Sequence, residues 1–419
     1  VHSYSHGAEG PLLRDPDLRR YVAARLISLA GTSVTFVVMP VLVYSLTSSA
    51  TWTAMVAVAE GVAYLLTGLW AGLAADRFER KRVMIGTDVG AALVLFTIPI
   101  AAWFDQLTAF HVLIVAFTAQ MIFVFFDAAN LGALPTLVPR RRLPSANSVI
   151  AGGGTVVEAT VPALTGALLV VMSPASLLVI DAVTFLASAL LVRAIIRPLN
   201  QARTGPLRGK AAIAEGVSFI VKHPVLRYMT VIGFLVAFSG GSLVGILVVW
   251  ADRNLGIQEG DWRLGFVFAA WGVGAVIGSF LMSRLVYRFG GVRTALMCLP
   301  ATGVGGVITA TSTYWIAGMV ALAAWGAAYM VVAANSVTLR QQVTPEPLMS
   351  RVMTVGRMTS FGAGFPAGAL VVGLLADTMD TGSALLICQV SIAAATAIAW
   401  LSPLRTAPRH LPMPEDATT

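Results

Sequence analysis

Gly72-Leu-Ala-Ala-Asp76-Arg77-Phe78-Glu79-Arg80-Lys81-Arg82 joins two apolar stretches, 51–73 and 83–104, and crowds four cations into one short loop. Each flanking stretch suffices to cross a bilayer core, which takes about 20 apolar residues as a helix. A loop so rich in Arg and Lys resists translocation and stays on the cytoplasmic side.

Outward from this loop the alternation repeats. Apolar stretches at 22–45, 51–73, 83–104, 110–134, 146–172, 174–196, 225–250, 263–286, 293–312, 315–339, 350–376 and 381–402 predict twelve transmembrane helices. Of the 28 Lys and Arg, all but Arg253 and Arg263 fall at the two ends of this series or in every second gap. That pattern places both termini in the cytoplasm. Arg14, Arg19, Arg20 and Arg25 make the first stretch an inside anchor rather than a cleaved signal peptide.

The 419 residues are 57% hydrophobic and 11% charged, with a mean hydropathy of +0.81, which excludes an ordinary soluble protein. The net charge of +8 is a belt at one membrane face. It suits anionic lipid headgroups and argues against a nucleic-acid partner. Cys298 and Cys388 stand singly in apolar stretches, and the five His are scattered. Neither a disulfide framework nor a metal site follows from that spacing. No phosphate-binding loop is present, so the chain has no ATPase of its own, and no cofactor is expected. Without a His/Asp or Ser/His constellation, an enzyme is not expected either.

The predicted organisation is an N-terminal arm (1–21), a six-helix bundle (22–197), a linker with a short surface helix over 211–222 (198–224), a second six-helix bundle (225–402) and a tail (403–419). The halves look alike. Asp76-Arg77-Phe78 recurs roughly as Tyr287-Arg288-Phe289, Asn130 and Val138 as Asn335 and Val343, and Pro162 as Pro366, at a nearly constant offset. Parallel six-span repeats are the plan of rocking secondary transporters with a site near the membrane midplane. The fold expected is therefore all-α, with two pseudo-symmetric six-helix bundles.

The Gly72–Arg82 loop resembles the inner-loop signature of the major facilitator superfamily, G-x-L-x-D-R-x-G-R-[RK], with Glu79 in place of the second Gly. Further segments are similar to its drug:proton antiporter branch, which includes macrolide and enterobactin exporters. They are Leu12-Leu-Arg-Asp-Pro-Asp-Leu-Arg19, Pro40-Val-Leu-Val-Tyr44, Leu134-Pro-Thr-Leu-Val-Pro139, Asp181-Ala-Val-Thr-Phe185 and Glu215-Gly-Val-Ser-Phe-Ile220. Of the branch's fifth-helix antiporter motif only Pro162 and Gly166 survive, and the Arg that some members carry in the fourth helix is absent. The resemblance implies proton-driven export of amphipathic, drug-like or siderophore-like molecules by a monomer in a bacterial cytoplasmic membrane. Uptake or lipid translocation on the same fold is the alternative.

Carboxylates inside apolar spans are costly and usually functional or paired. Glu60, Glu158 and Asp127 are the candidate proton-coupling residues, with Asp181 and Asp88 nearer helix ends, Asp88 as a partner for the basic loop. The resemblance implies that Asp76, with Arg77, Arg80 and Gly72, locks the inner ends of the two halves together. It also turns spans 1, 4, 7 and 10 toward a central cavity, which nominates Phe36, Phe123, Phe126, Phe234, Phe238, Trp325 and Tyr329 as its lining. Aromatic walls with few fixed polar groups suit an amphipathic substrate.

Overall fold

The computed structural model describes residues 12–200, 209–345 and 348–406, and within them all side chains except those of residues 69, 72, 73, 75, 76, 131, 140, 209–213 and 350. Among the described residues, twelve helical spans are long and apolar enough to cross a membrane. The first half comprises α1 (Pro16–Thr47), α2 (Ala50–Arg77), α3 (Arg80–Trp103), α4 (Ala109–Leu137), α5 (Leu143–Leu168) and α6 (Pro174–Arg193). A linker helix, α7 (Gly209–Lys222), runs two residues N-terminal to the start expected for it.

Polar caps start several spans. The Asp15 carboxylate accepts from the backbone N–H groups of Asp17 and Leu18, ahead of Pro16 in the first turn of α1. Ser49, Thr108, Ser173 and Asp380 cap other helices in the same way. Each satisfies donors that have no partner within the helix. Asp17 ties the N-terminus to the end of the bundle by accepting from the backbone N–H groups of Ile196 and Arg197.

The second half is less regular than twelve uninterrupted stretches suggest. Its helices are α8 (Pro224–Gly245), α9 (Leu247–Leu255), α10 (Arg263–Phe289), α11 (Gly291–Thr311) and α12 (Trp315–Val343). The eleventh span is α13 (Met349–Arg357), a π-helical stretch over Met358–Gly364, and α14 (Phe365–Ala376); the twelfth is α15 (Thr381–Cys388) with α16 (Val390–Leu401). Pro366 explains the wide π turn before it, because its nitrogen cannot donate to the preceding turn and the ladder must shift. The Pro366 ring packs where a Cβ on Gly61 of α2 would stand, so glycine is needed there for the halves to meet.

The apolar cores are distributed unequally between the two ends. At the cation-poor end one core runs through both halves, from Val37 and Leu95 to Trp250, Val267 and Leu385. At the cation-rich end the first half has its own core, around Leu18, Met84, Ala133 and Val192. The second half has another, around Met229, Leu299, Leu339 and Ile392. The bundles are fused at one end and separate at the other.

Candidate functional site

The fused end is sealed by polar bonds as well as by packing. Tyr44 at the end of α1 donates to Asp252 of α9 at 2.6 Å. The Asp377 carboxylate, just past α14, accepts from the Ser49 hydroxyl at 2.6 Å and from the backbone N–H groups of Ala50 and Thr51 at 2.8 and 3.0 Å. Arg253 bridges the halves, donating to the carbonyls of Ala376 and Ser48. Burial pushes the Asp377 carboxyl up, but the hydrogen bonds from Ser49, Thr51 and Ala50 outweigh it and hold the group down at about 2. Beside this seal Gly166 and Gly265 meet backbone to backbone: a Cβ on Gly166 would lie 2.1 Å from the Gly265 Cα.

At the separated end one carboxylate links the halves. Asp127 on α4 lies 3.6 Å from the Arg25 guanidinium of α1, and its other oxygen accepts from Arg357 of α13 at 3.4 Å. Arg25 also lies over the Phe126 ring at 5.8 Å, and Arg357 over Tyr64 of α2 at 5.6 Å. The three charged side chains stay 18–43% exposed although their helices lie within the bundle. That exposure marks open space between the halves on the cation-rich side.

Glu60 and Glu158 face the same interface, as helix geometry shows. On α5 the exposed Val156, Thr160 and Leu164 form one stripe, and at 100° per residue Glu158 stands on the opposite face. On α2 the exposed Val62, Leu66 and Trp70 form the stripe, and Glu60 is again opposite, with Tyr64 on its own face. Glu158 is exposed and Glu60 partly buried. Neither has an ion-pair partner among the described residues. Both lie about 15 Å from the cation-poor ends of their helices, and Asp127 about 15 Å from the cation-rich end of its own. The acids thus occupy two levels of one interface.

Of the expected gate, the Asp76 side chain and the surroundings of Gly72 lie outside the described residues, and Arg77 is exposed beside Phe78. Arg80 does not reach the second half: it donates to the Gly132 carbonyl of α4 at 2.7 Å, and its backbone N–H to Asn200 at 2.8 Å. Lys81 donates to the Ile195 carbonyl at 2.6 Å. Carbonyls near helix ends, and near Pro135 where the ladder is broken, are the nearest acceptors for these cations.

Two nominated aromatics are not on the cavity surface. Trp325 is fully buried against Trp271, and Phe126 is buried in the core of the first half. Their size stabilises packing, and an aromatic ring on a pore-side helix is no guide to its rotation. Phe36 is exposed and meets Phe268 across the halves edge to face at 5.9 Å. Phe123, Phe234, Phe238 and Tyr329 are half-buried, Tyr329 against Trp271 at 5.2 Å.

Other buried acids also depart from expectation. Asp88 does not pair with the basic loop; it is buried, and among the described residues neither of its oxygens has a hydrogen-bond partner. Asp181 is no simple helix-end cap: it accepts from Thr35 of α1 and from Thr184 in the interior of α6. Sequence reasoning missed Arg25 and Arg357 by assigning them to loops. The signal was present, since both fall inside the predicted spans 22–45 and 350–376, where a cation needs a partner.

Comparison with known proteins agrees with this architecture. Residues 10–416 match the profile of a family described as transmembrane secretion effectors. The multidrug efflux pump Tap of Mycolicibacterium fortuitum is 27% identical over 368 residues, covering 84% of this chain and 88% of Tap. The enterobactin exporter EntS of Escherichia coli O1:K1 is 26% identical over 345 residues, covering 80% of each. Among solved structures, an inward-facing, unoccupied bacterial homolog of the human lysosomal transporter Spinster superposes with a TM-score of 0.73 at 15% identity, over 96% of this chain and 98% of that one.

Proposed function

The chain belongs to the transmembrane secretion effector family of the major facilitator superfamily, and from that premise we propose that it exports amphipathic small molecules in exchange for protons. It is a multi-pass membrane transporter, and two relatives that match most of its length, Tap and EntS, are named as efflux proteins. The proposed setting is a bacterial cytoplasmic membrane, with a monomer whose termini face the cytoplasm, as the cation belt favours.

The observation that carries the mechanism is Asp127 held between Arg25 of its own half and Arg357 of the other. When Asp127 is ionised it ties the halves through its ion pair with Arg357. When it takes a proton that tie is lost and the halves are free to rearrange. A proton entering from outside would reach Glu60 or Glu158 first, at the level nearer the seal, and Asp127 afterwards. Substrate would occupy the interface between these levels, against Phe36, Phe123 and Phe238. Rocking about the fused end would then expose the site alternately.

Everted membrane vesicles test this. An amphipathic fluorescent dye should accumulate in them and leak back when the pH gradient is collapsed. Asp127→Asn should abolish gradient-driven accumulation, and Glu60→Gln or Glu158→Gln should lower its initial rate about a hundredfold, the lower end of what proton-transfer groups contribute. Full accumulation by all three variants would overturn proton coupling through these acids.

A further inference from the structure

Within the second half, Arg340 near the cation-rich end of α12 is 4% exposed, and its Nε and Nη2 have no hydrogen-bond partner among the described residues. A guanidinium withdrawn from water without a counter-charge is among the costliest arrangements in a protein interior. It lines a cavity of about 70 Å³ between α8, α12 and the stretch from Gly356 to Phe361. The other polar side chains on that wall are Ser336, Ser360, Tyr329 and Arg357, and the remainder is glycine and apolar side chains. The hydroxyls of Ser336 and Ser360 make no hydrogen bond among the described residues.

Space for the guanidinium is built by two glycines. A Cβ on Gly356 would lie 2.2 Å from the Arg340 Nη1, and one on Gly233 would lie 3.1 Å from its Nη2 and 3.3 Å from the Ser360 Oγ. Two cations, two free hydroxyls and no carboxylate on the same wall make a receptor for an oxyanion. At about 30 Å³ per water, the volume accepts one carboxylate or phosphate group and not a drug-sized body, which fills about 300 Å³ or more.

We propose that this cavity binds a single oxyanion group, a carboxylate or phosphate, belonging to an amphipathic molecule whose apolar body lies in the interface between the halves. The inference builds on the reading of the chain as an exporter and narrows its substrates to those with an anionic end. Arg357 gives the site a connection to Asp127. An oxyanion drawing on Arg357 competes with the carboxylate that the same guanidinium holds across the interface.

Equilibrium binding to the purified full chain in nanodiscs tests the proposal without requiring transport. The probes are 6-(dansylamino)hexanoate and its primary amide, which differ in charge and share one apolar body. The carboxylate should bind about tenfold more tightly than the amide, the scale of one charge-assisted hydrogen bond. Arg340→Gln should remove that preference, weakening the carboxylate far more than the amide. Equal binding of the two probes by the unaltered chain, or a preference that survives Arg340→Gln, overturns the site.

Arg340→Met gives a second readout. Without ligand it should unfold at the same or a higher temperature, since a buried unpaired charge is removed; a marked loss of thermal stability would assign Arg340 a structural role and overturn the proposal. The source of the anion is read from lipid composition. Loss of the carboxylate preference in phosphatidylglycerol discs, with retention in phosphatidylcholine discs, assigns the site to a lipid headgroup. Retention in both assigns it to the carried molecule. Loss of gradient-driven efflux with the preference intact would instead count against the exporter reading alone.

Discussion

The two ends of the molecule hold their halves together by different means. At the cation-poor end the halves share one apolar core, and Asp377, Tyr44 and Arg253 close it with short bonds, several of them to backbone groups. At the cation-rich end the cores are separate, and the link is Asp127 to Arg357 at 3.4 Å in open surroundings. Packing and backbone hydrogen bonds need close contact and fail abruptly when parted. An exposed ion pair acts over a longer range and costs little to break. The sealed end is therefore built for stability and the open end for exchange.

The largest way to break this contrast is steric. Gly265→Leu puts a side chain where the Gly166 backbone lies, and should destabilise the sealed form by about 3 kcal/mol or more, the upper range for overpacking. A fall in melting temperature of the detergent-purified protein measures it, and an unchanged value would contradict the close approach.

Asp377→Ala comes next. It leaves the Ala50 and Thr51 N–H groups and the Ser49 hydroxyl without their acceptor, at about 1–3 kcal/mol. Spin labels at the exposed positions 46 and 379 should show a longer distance. The same labels give the pH dependence. With its carboxyl depressed to about 2, Asp377 contributes its full stabilisation above the ordinary value of 3.8 and loses it as pH falls through about 2. The distance should be flat across neutral pH and lengthen only in strong acid. A transition near neutrality would identify another group as the one that opens the seal.

Tyr44→Phe removes one hydrogen bond, to Asp252, and should shift the same distance distribution by about 0.5–1.5 kcal/mol. Asp127→Asn should be smallest on this scale, about 0–1 kcal/mol, because its ion pairs are partly exposed. Yet it is the variant expected to abolish proton-driven export. A small conformational effect with a complete functional loss would separate the two ends most sharply.

Much of the fold was legible because hydropathy and loop charge are local signals. The twelve spans were placed to within a few residues, except that α1 starts at Pro16 rather than 22. The linker helix was visible in its mixed spacing. What escaped depends on helix rotation and on partners in the other half, which no local window records. Arg25, Arg340 and Arg357 look alike when counted as cations beside spans. One faces Asp127 within its own half, one lies buried beside Gly356, and one reaches Asp127 from across the interface. Trp325 and Phe126 show the same limit for aromatics. The breaks at Ile246 and Gln389 were hidden because the apolar pattern continues through them.

The backbone contact of Gly166 with Gly265 also sets a mechanical scale. On α5, the contact zone with α10 spans Gly166 to the Glu158 carbonyl, which lies where a Cβ on Gly272 would approach to 2.7 Å. Beyond it α5 runs on for roughly 22 Å to its start at Leu143, packed on Leu26 and Leu29 of α1 in its own half. The contact zone is a fulcrum and the remaining length of this half a lever arm. A rotation of about 10° swings the tip of that arm by roughly 4 Å, while the glycines themselves barely separate. Asp127, on α4 of the same half, stands at a level partway along that arm, so its distance to Arg357 changes by less than the width of the mouth. The leverage runs in one direction: a small change at the fulcrum is amplified at the cation belt, and a push at the belt is attenuated before it reaches the seal.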